Sequence, residues 1–179
     1  MPDLTQLACR CGRTTLELSG PPILSCECHC TSCRTAGARL QSLPSARAVL
    51  AANGGTHFVL CRKDRVRFMQ GAEQLKEFRL NADTPTRRVV ATCCNTPVFL
   101  EFRHGHWLSL YAGLWPNGTA PAIELRTMTS DLPDPSTLPN DVPNSKSQSL
   151  SFMAKLLGAW IAMRFRTPKI AVVHGELQV

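Results

Sequence analysis

Long apolar runs are missing from this 179-residue chain. A bilayer-spanning helix needs about 20 consecutive apolar residues, and the longest candidate, "LLGAWIAM", is eight residues held between Lys155 and Arg164. The opening "MPDLTQLACR" carries an early acid and no apolar core, so no secretory signal is expected. Aromatic residues make up only 6% of the chain and do not alternate with basic ones. That argues against a surface that stacks single-stranded bases. Internal repeats and low-complexity tracts are also lacking. A globular protein of the cytoplasm, with no transmembrane segment, is the expectation, and 44% hydrophobic residues are enough for a core.

Acidic residues are outnumbered 13 to 20 by lysine and arginine, which gives a net charge of +7. Such a balance favours anionic partners without choosing among small acids, nucleic acid and a membrane surface. "CRKDRVR", with Arg62, Lys63, Arg65 and Arg67, and the pair Arg87-Arg88 are candidate contacts. They are read here as solvated strand faces, so nucleic acid is not favoured.

Residues 1–115 read as one body of short strands: "RTTLEL", "PILSCEC", "THFVLC", "RVRFMQ", "QLKEFRL", "RRVVAT", "PVFLEF" and "HWLSLYAGL". Turn residues such as Gly54-Gly55 and Gly71 separate them. "SARAVLAAN" is expected to form a short internal helix with Ser45 as its cap. Residues 116–148 hold six prolines and read as a loop or tether. Residues 149–167 form the one long amphipathic helix, followed by a tail at 168–179. Gln148, Ser151, Lys155, Ala159, Ala162 and Arg166 share a narrow stripe on that helix, and nearly all the rest is apolar. It is expected to dock on the body or to form a homodimer, with binding to a membrane surface as the minor alternative.

Cysteine is abundant instead. Nine are present, and in a reducing compartment such density points to metal or catalysis before disulfides. Cys9 and Cys11 form "CRCG"; Cys28, Cys30 and Cys33 form "CHCTSC"; Cys93 and Cys94 are adjacent. On an extended chain residues i and i+2 face the same side, so C-x-C aims two sulfurs at one point. Thiolates gathered in this way suit tetrahedral zinc, and an iron–sulfur cluster has the same donor chemistry. The Cys9–Cys11 pair needs partners, and Cys93-Cys94 is the other cluster available. Cys26 and Cys61 read as buried small hydrophobes, although Cys26 lies two residues before Cys28 and could close that site as a fourth thiolate. His29 reads as a surface or supporting residue, and His104 and His106 as a solvated hairpin turn.

These motifs resemble the glutathione-dependent formaldehyde-activating (GFA) family, which includes centromere protein V. The similarity runs through "ACRCG", "CHCTSCR" with the small run "AGA" after it, "VRFMQGAEQLKEFRL", "CNTPVFLEF" and "LYAGL", over roughly residues 7–115. The resemblance implies a mainly β fold, an antiparallel β-tent pinned by two zinc ions per chain. One implied zinc is structural and joins Cys9 and Cys11 to Cys94. Its fourth ligand in the family pattern falls on Ala91, an extra Cys93 is present, and the family glycine is Asn95. "CCNTP" is similar to a divergent, functionally unassigned branch. The other implied zinc sits on Cys28, Cys30 and Cys33 with one position open, and is associated with glutathione and with carbon–sulfur bond cleavage or formation on thiol adducts of aldehydes. A carbon–sulfur lyase is the function so implied, with a non-catalytic zinc module that binds protein or nucleic acid as the alternative. Arg34 is a candidate for a substrate carboxylate.

Overall fold

The computed structural model describes residues 4–116 and 118–179. Ten strands follow the alternating and apolar runs of the sequence. They are β1 (Leu4–Ala8), β2 (Thr15–Ser19), β3 (Leu24–Cys28), β4 (Thr56–Arg62), β5 (Val66–Gln70), β6 (Leu75–Phe78), β7 (Thr86–Ala91), β8 (Thr96–Phe102), β9 (Trp107–Tyr111) and β10 (Leu125–Thr127). β1, β2 and β5 make a small antiparallel sheet, and the other seven form a larger one in the order β10-β3-β4-β9-β8-β7-β6. Every pairing is antiparallel except β10 on β3. Each of the eight strand segments expected from the sequence overlaps one of these strands; β1 and the three-residue β10 are additional.

The two sheets face each other across one core. Leu7, Leu16, Leu18 and Val66 of the small sheet pack with Val59, Val89, Phe99, Leu108 and Leu110 of the large one. The opposite face of the large sheet carries a second core with two helices, α1 (Thr31–Gln41) and α2 (Leu150–Ala162). Both faces of β4 and β8 are therefore covered, and their middles read as the apolar runs "FVLC" and "PVFL". Burying each large apolar side chain contributes roughly 1.5–3 kcal/mol, so the large sheet, with a core on either side, anchors the molecule.

The internal helix exists but lies earlier than expected. α1 begins directly after the cysteine motif and buries Cys33, Ala36, Gly37 and Leu40, a helical i, i+3, i+4, i+7 face. Residues 45–53 are turns and irregular chain; Ser45 has φ 59, and Val49 and Leu50 donate backbone N–H bonds to the Gln41 side chain. Tertiary packing has overridden propensity. A Cβ at Gly37 would lie 2.4 Å from Leu50 Cδ2, so the small run "AGA" lets this loop close onto the helix.

α2 is capped by Ser149, whose hydroxyl accepts from Phe152 N–H. It inserts Phe152 and Leu156, with Met163 just beyond, into the body. Its apolar surface is only half covered. Leu150, Met153, Leu157 and Ile161 remain exposed, Leu150 at 91%. No helix among the described residues is long and apolar enough to cross a membrane.

Candidate metal centres

Cys9 and Cys11 lie in the turn between β1 and β2, and Cys93 and Cys94 in the turn between β7 and β8. The first turn belongs to the small sheet and the second to the large one, yet all four sulfurs lie within 4.8 Å of one another. The Sγ–Sγ separations are 3.6 Å for Cys9–Cys11, 3.7 Å for Cys9–Cys93, 3.4 Å for Cys11–Cys93 and 3.9 Å for Cys93–Cys94. Four thiolates about 2.3 Å from a tetrahedral ion stand about 3.8 Å apart. The donor set fits zinc or another thiophilic ion.

Adjacent residues on a strand point in opposite directions, which would have prevented Cys93 and Cys94 from meeting. Here they stand in a turn, and Asn95 takes the left-handed conformation at φ 52. Asparagine tolerates that region better than most residues, so the turn can wrap both sulfurs inward. Thr14 N–H donates to Cys9 Sγ at 3.3 Å. Burial raises the Cys94 pKa, but hydrogen bonds from Thr96 and the Cys11 backbone outweigh it and hold the thiol down at about 7. Burial, followed by the bonds to Cys11 and Cys9, pushes Cys93 up to about 12. Without a cation the cluster cannot carry four negative charges; a divalent ion removes that conflict.

The second group forms at the junction of β3 and α1. Cys28 ends the strand, Cys30 caps the helix and Cys33 lies in its first turn, with the three sulfurs within 4.8 Å of one another. Cys30 Sγ accepts from Cys33 N–H at 3.3 Å, so one thiol stands where the helix end favours negative charge. Hydrogen bonds from Cys28 and then Cys33 push Cys30 down to about 3, and the bond to Cys30 heads the causes that drive Cys28 far up. No further His, Cys, Asp or Glu among the described residues joins the three within that distance. Cys26, two residues earlier on the same strand face, stands outside the group. Burial pushes its thiol up to about 12, as befits a core cysteine.

A cavity of about 220 Å³ opens beside these three sulfurs, between the large sheet and α2. Arg88 lies nearby under α1. It is 1% exposed, and its Nη2 donates to Ser32 O and Oγ, while Nε and Nη1 have no partner. Its positive charge favours the thiolate at Cys30 and opposes the hydrogen bonding and burial that push Cys33 up to about 12. Three thiolates and a divalent ion carry net charge −1, and a buried guanidinium beside them offsets it. Sequence reasoning took Arg88 for a solvated residue; the one signal was its position two residues before the buried Val90 on the same strand.

Several other readings change in three dimensions. His29 is fully buried, not on the surface, and its Nε2 lies 2.8 Å from Glu27 Oε1. Asn53 and Arg126 donate to the same oxygen at 2.8 and 3.0 Å, and Arg126 also reaches Asp141. This network ties the Cys28–Cys30 segment to β10 and to the loop that follows it. Glu27 went unnoticed because an acid between two cysteines looks like a solvent-facing alternate. His106 is buried rather than solvated: Nε2 donates to Leu156 O at 2.9 Å and the ring stacks on Trp160. His104 stays exposed at the turn, with φ 64. The basic segments are largely engaged within the chain. Lys63 is buried against Glu101, Arg87 bonds Glu101 and Glu77, and Arg62 bonds Asp64. Arg34 donates to Asp131 O.

No family model and no curated protein matches the chain. Among solved structures, a Rhodobacter sphaeroides protein determined by structural genomics is similar at 15% sequence identity with a TM-score of 0.46, over 78% of this chain and 99% of that one.

Proposed function

We propose that this is a zinc protein of the glutathione-dependent formaldehyde-activating type, with two zinc ions per chain, in which the three-cysteine site acts as a carbon–sulfur lyase on small thiol adducts of aldehydes. The supporting observation is the convergence of Cys28, Cys30 and Cys33 at the edge of a cavity, with no fourth His, Cys, Asp or Glu among the described residues within 4.8 Å of all three sulfurs. Three protein ligands and an open position are the usual layout of catalytic zinc, while four closed thiolates are that of a structural ion. Cys9, Cys11, Cys93 and Cys94 take the structural part. Resemblance in the cysteine motifs suggests glutathione as the thiol, and free cysteines throughout suit a reducing cytoplasm.

Zinc at the open site would lower the pKa of an incoming thiol toward neutrality. The chain supplies the rest. Cys28, Cys30 and Cys33 would hold the ion at the junction of β3 and α1, and Arg88 would offset their negative charge. Phe152 of α2 helps to keep water from the cavity. In the cleavage direction the adduct R–S–CH(OH)–R′ gives its hydroxyl proton to water, the freed oxygen pair forms the carbonyl and the carbon–sulfur bond breaks. That bond's electron pair goes to sulfur, which takes up a proton from water, and thiol and aldehyde depart.

Elemental analysis of protein purified without added metal should give two zinc ions per chain. Iron with acid-labile sulfide would remove the zinc reading. Aldehyde release from a hemithioacetal, abolished by Cys30→Ser, tests the activity.

A specific observation favours a second copy of the chain as partner: the exposed stripe of Leu150, Met153, Leu157 and Ile161 on α2. A homodimer would cover it. Leu157→Lys should then convert a dimer to a monomer in sedimentation; a wild-type monomer would refute the dimer. The alternative of nucleic-acid binding keeps the net charge of +7, but Lys63, Arg87 and Arg62 have acidic partners within the chain and are not free for phosphates.

A further inference from the structure

Thiols differ in what they carry beyond sulfur, and the cavity beside Cys28, Cys30 and Cys33 is selective on that point. Phe58, Leu60, Leu100, Phe102, Trp107 and Phe152 form most of its wall. Its polar members, Ser109, Thr127 and Gln148, are uncharged, and no lysine, arginine, histidine or acid lines it. Arg88, the buried cation nearby, is turned to Ser32 and is not part of the wall. The aromatic residues come from four separate elements: Phe58 from β4, Phe102 from β8, Trp107 from the start of β9 and Phe152 from α2. Phe102 and Trp107 lie with ring centroids 5.6 Å apart. Met128, which also lines the cavity, is held in the left-handed region at φ 59 where the chain leaves β10.

The space, about 220 Å³ and partly open to solvent, accommodates an aryl or short alkyl group, while most of a tripeptide would have to lie outside it. Glutathione also brings two carboxylates and an ammonium, and a charge taken from water into a wall without a counter-charge is strongly disfavoured. An apolar substituent gains from the same transfer.

We infer that the three-cysteine site takes thiols with a small apolar or aromatic substituent, and therefore their aldehyde adducts, in preference to glutathione. This rests on the thiol-binding reading of the site and narrows its substrate class. Selection comes from the cavity wall, whereas thiol binding as such comes from the open coordination position.

The test uses the full-length protein with cobalt in place of zinc, titrated separately with phenylmethanethiol, mercaptoacetate and glutathione. The absorption bands report sulfur entering the coordination sphere, and the closed four-cysteine site gives a constant background. Phenylmethanethiol is expected to shift the bands at a concentration at least about tenfold lower than the two anionic thiols, in keeping with the apolar area it buries. Phe102→Arg, which adds a cation at the wall, should narrow the gap by favouring mercaptoacetate. If glutathione or mercaptoacetate binds wild type as tightly as phenylmethanethiol, the apolar-substituent inference is overturned and thiol binding stands. If none of the three shifts the spectrum of the cobalt-loaded protein, the lyase reading falls and this inference with it. The wild-type series decides the matter even if Phe102→Arg fails to fold.

Discussion

The two cysteine clusters are built from the same donor and differ in where the fold places them. Cys9, Cys11, Cys93 and Cys94 come from two hairpin turns in two different sheets. A metal there ties together the edges of both layers. Cys28, Cys30 and Cys33 come from six consecutive positions at one strand–helix junction, and what lies beyond them is a cavity. A metal there organises little beyond a local turn, but it is accessible to a ligand. On the proposed reading, sequence separation among the ligands would divide a site that holds the fold from one that is free to react. The loop entropy removed on closing a site grows with the length of chain enclosed.

The most severe test of that contrast is to remove one ligand from each cluster. Cys94→Ser should release one ion and cost much of the folding stability, because structural zinc supplies on the order of 10 kcal/mol in small zinc domains. Melting and metal content measured together would show aggregation or a sharply lowered Tm. Cys30→Ser should also release one ion yet leave a folded protein with a modest Tm change. Equal thermal penalties for the two variants would erase the distinction drawn here.

Chelation should separate the clusters in time. A three-ligand ion with an open position exchanges more readily than one closed by four thiolates. Zinc release under a competing chelator is therefore expected in two phases, the fast one absent in Cys30→Ser. A single phase of two ions would mean that the clusters are equivalent.

Cys26→Ser sharpens the comparison from the other side. Cys26 stands outside the three-sulfur group and its neutral thiol is 2% exposed. The variant should keep both ions and lose about 1–3 kcal/mol, the cost of a buried hydroxyl without a partner. Loss of an ion would close the three-cysteine site with a fourth thiolate and end its claim to an open position.

The smallest expected effect concerns the helix that covers the cavity. His106 is buried beneath α2, and desolvation, helped by Lys63, lowers its pKa below 6.5 despite the bond to Leu156 O. The unfolded chain then takes up the proton first. The contribution to stability is complete above pH 6.5 and is lost as pH falls from there through the lower folded value. Docking of α2, followed through Trp160 fluorescence, should weaken as pH falls below 6.5, and less so in His106→Gln. Metal content must stay constant across that window for the difference to be assigned to His106.

Sequence by itself determined the strand-rich body, because alternation and apolar runs are local properties. It also determined the grouping of Cys28, Cys30 and Cys33, since C-x-C and C-x-x-C converge within one turn of chain whatever the rest of the fold does. It placed an amphipathic helix near the C-terminus for the same reason of short-range periodicity. Tertiary structure decided what depends on distant segments meeting. Cys93 and Cys94 act together only because Asn95 turns the chain in the left-handed region opposite the β1–β2 hairpin. The internal helix lies at Thr31–Gln41 because Cys33, Ala36, Gly37 and Leu40 form its buried face, while residues 45–53 close over it as irregular chain. Arg88, Glu27, His29 and His106 look like surface residues in one dimension. They are buried because layers from elsewhere in the chain cover both faces of the large sheet, and a polar group enclosed in this way requires partners that sequence spacing does not reveal.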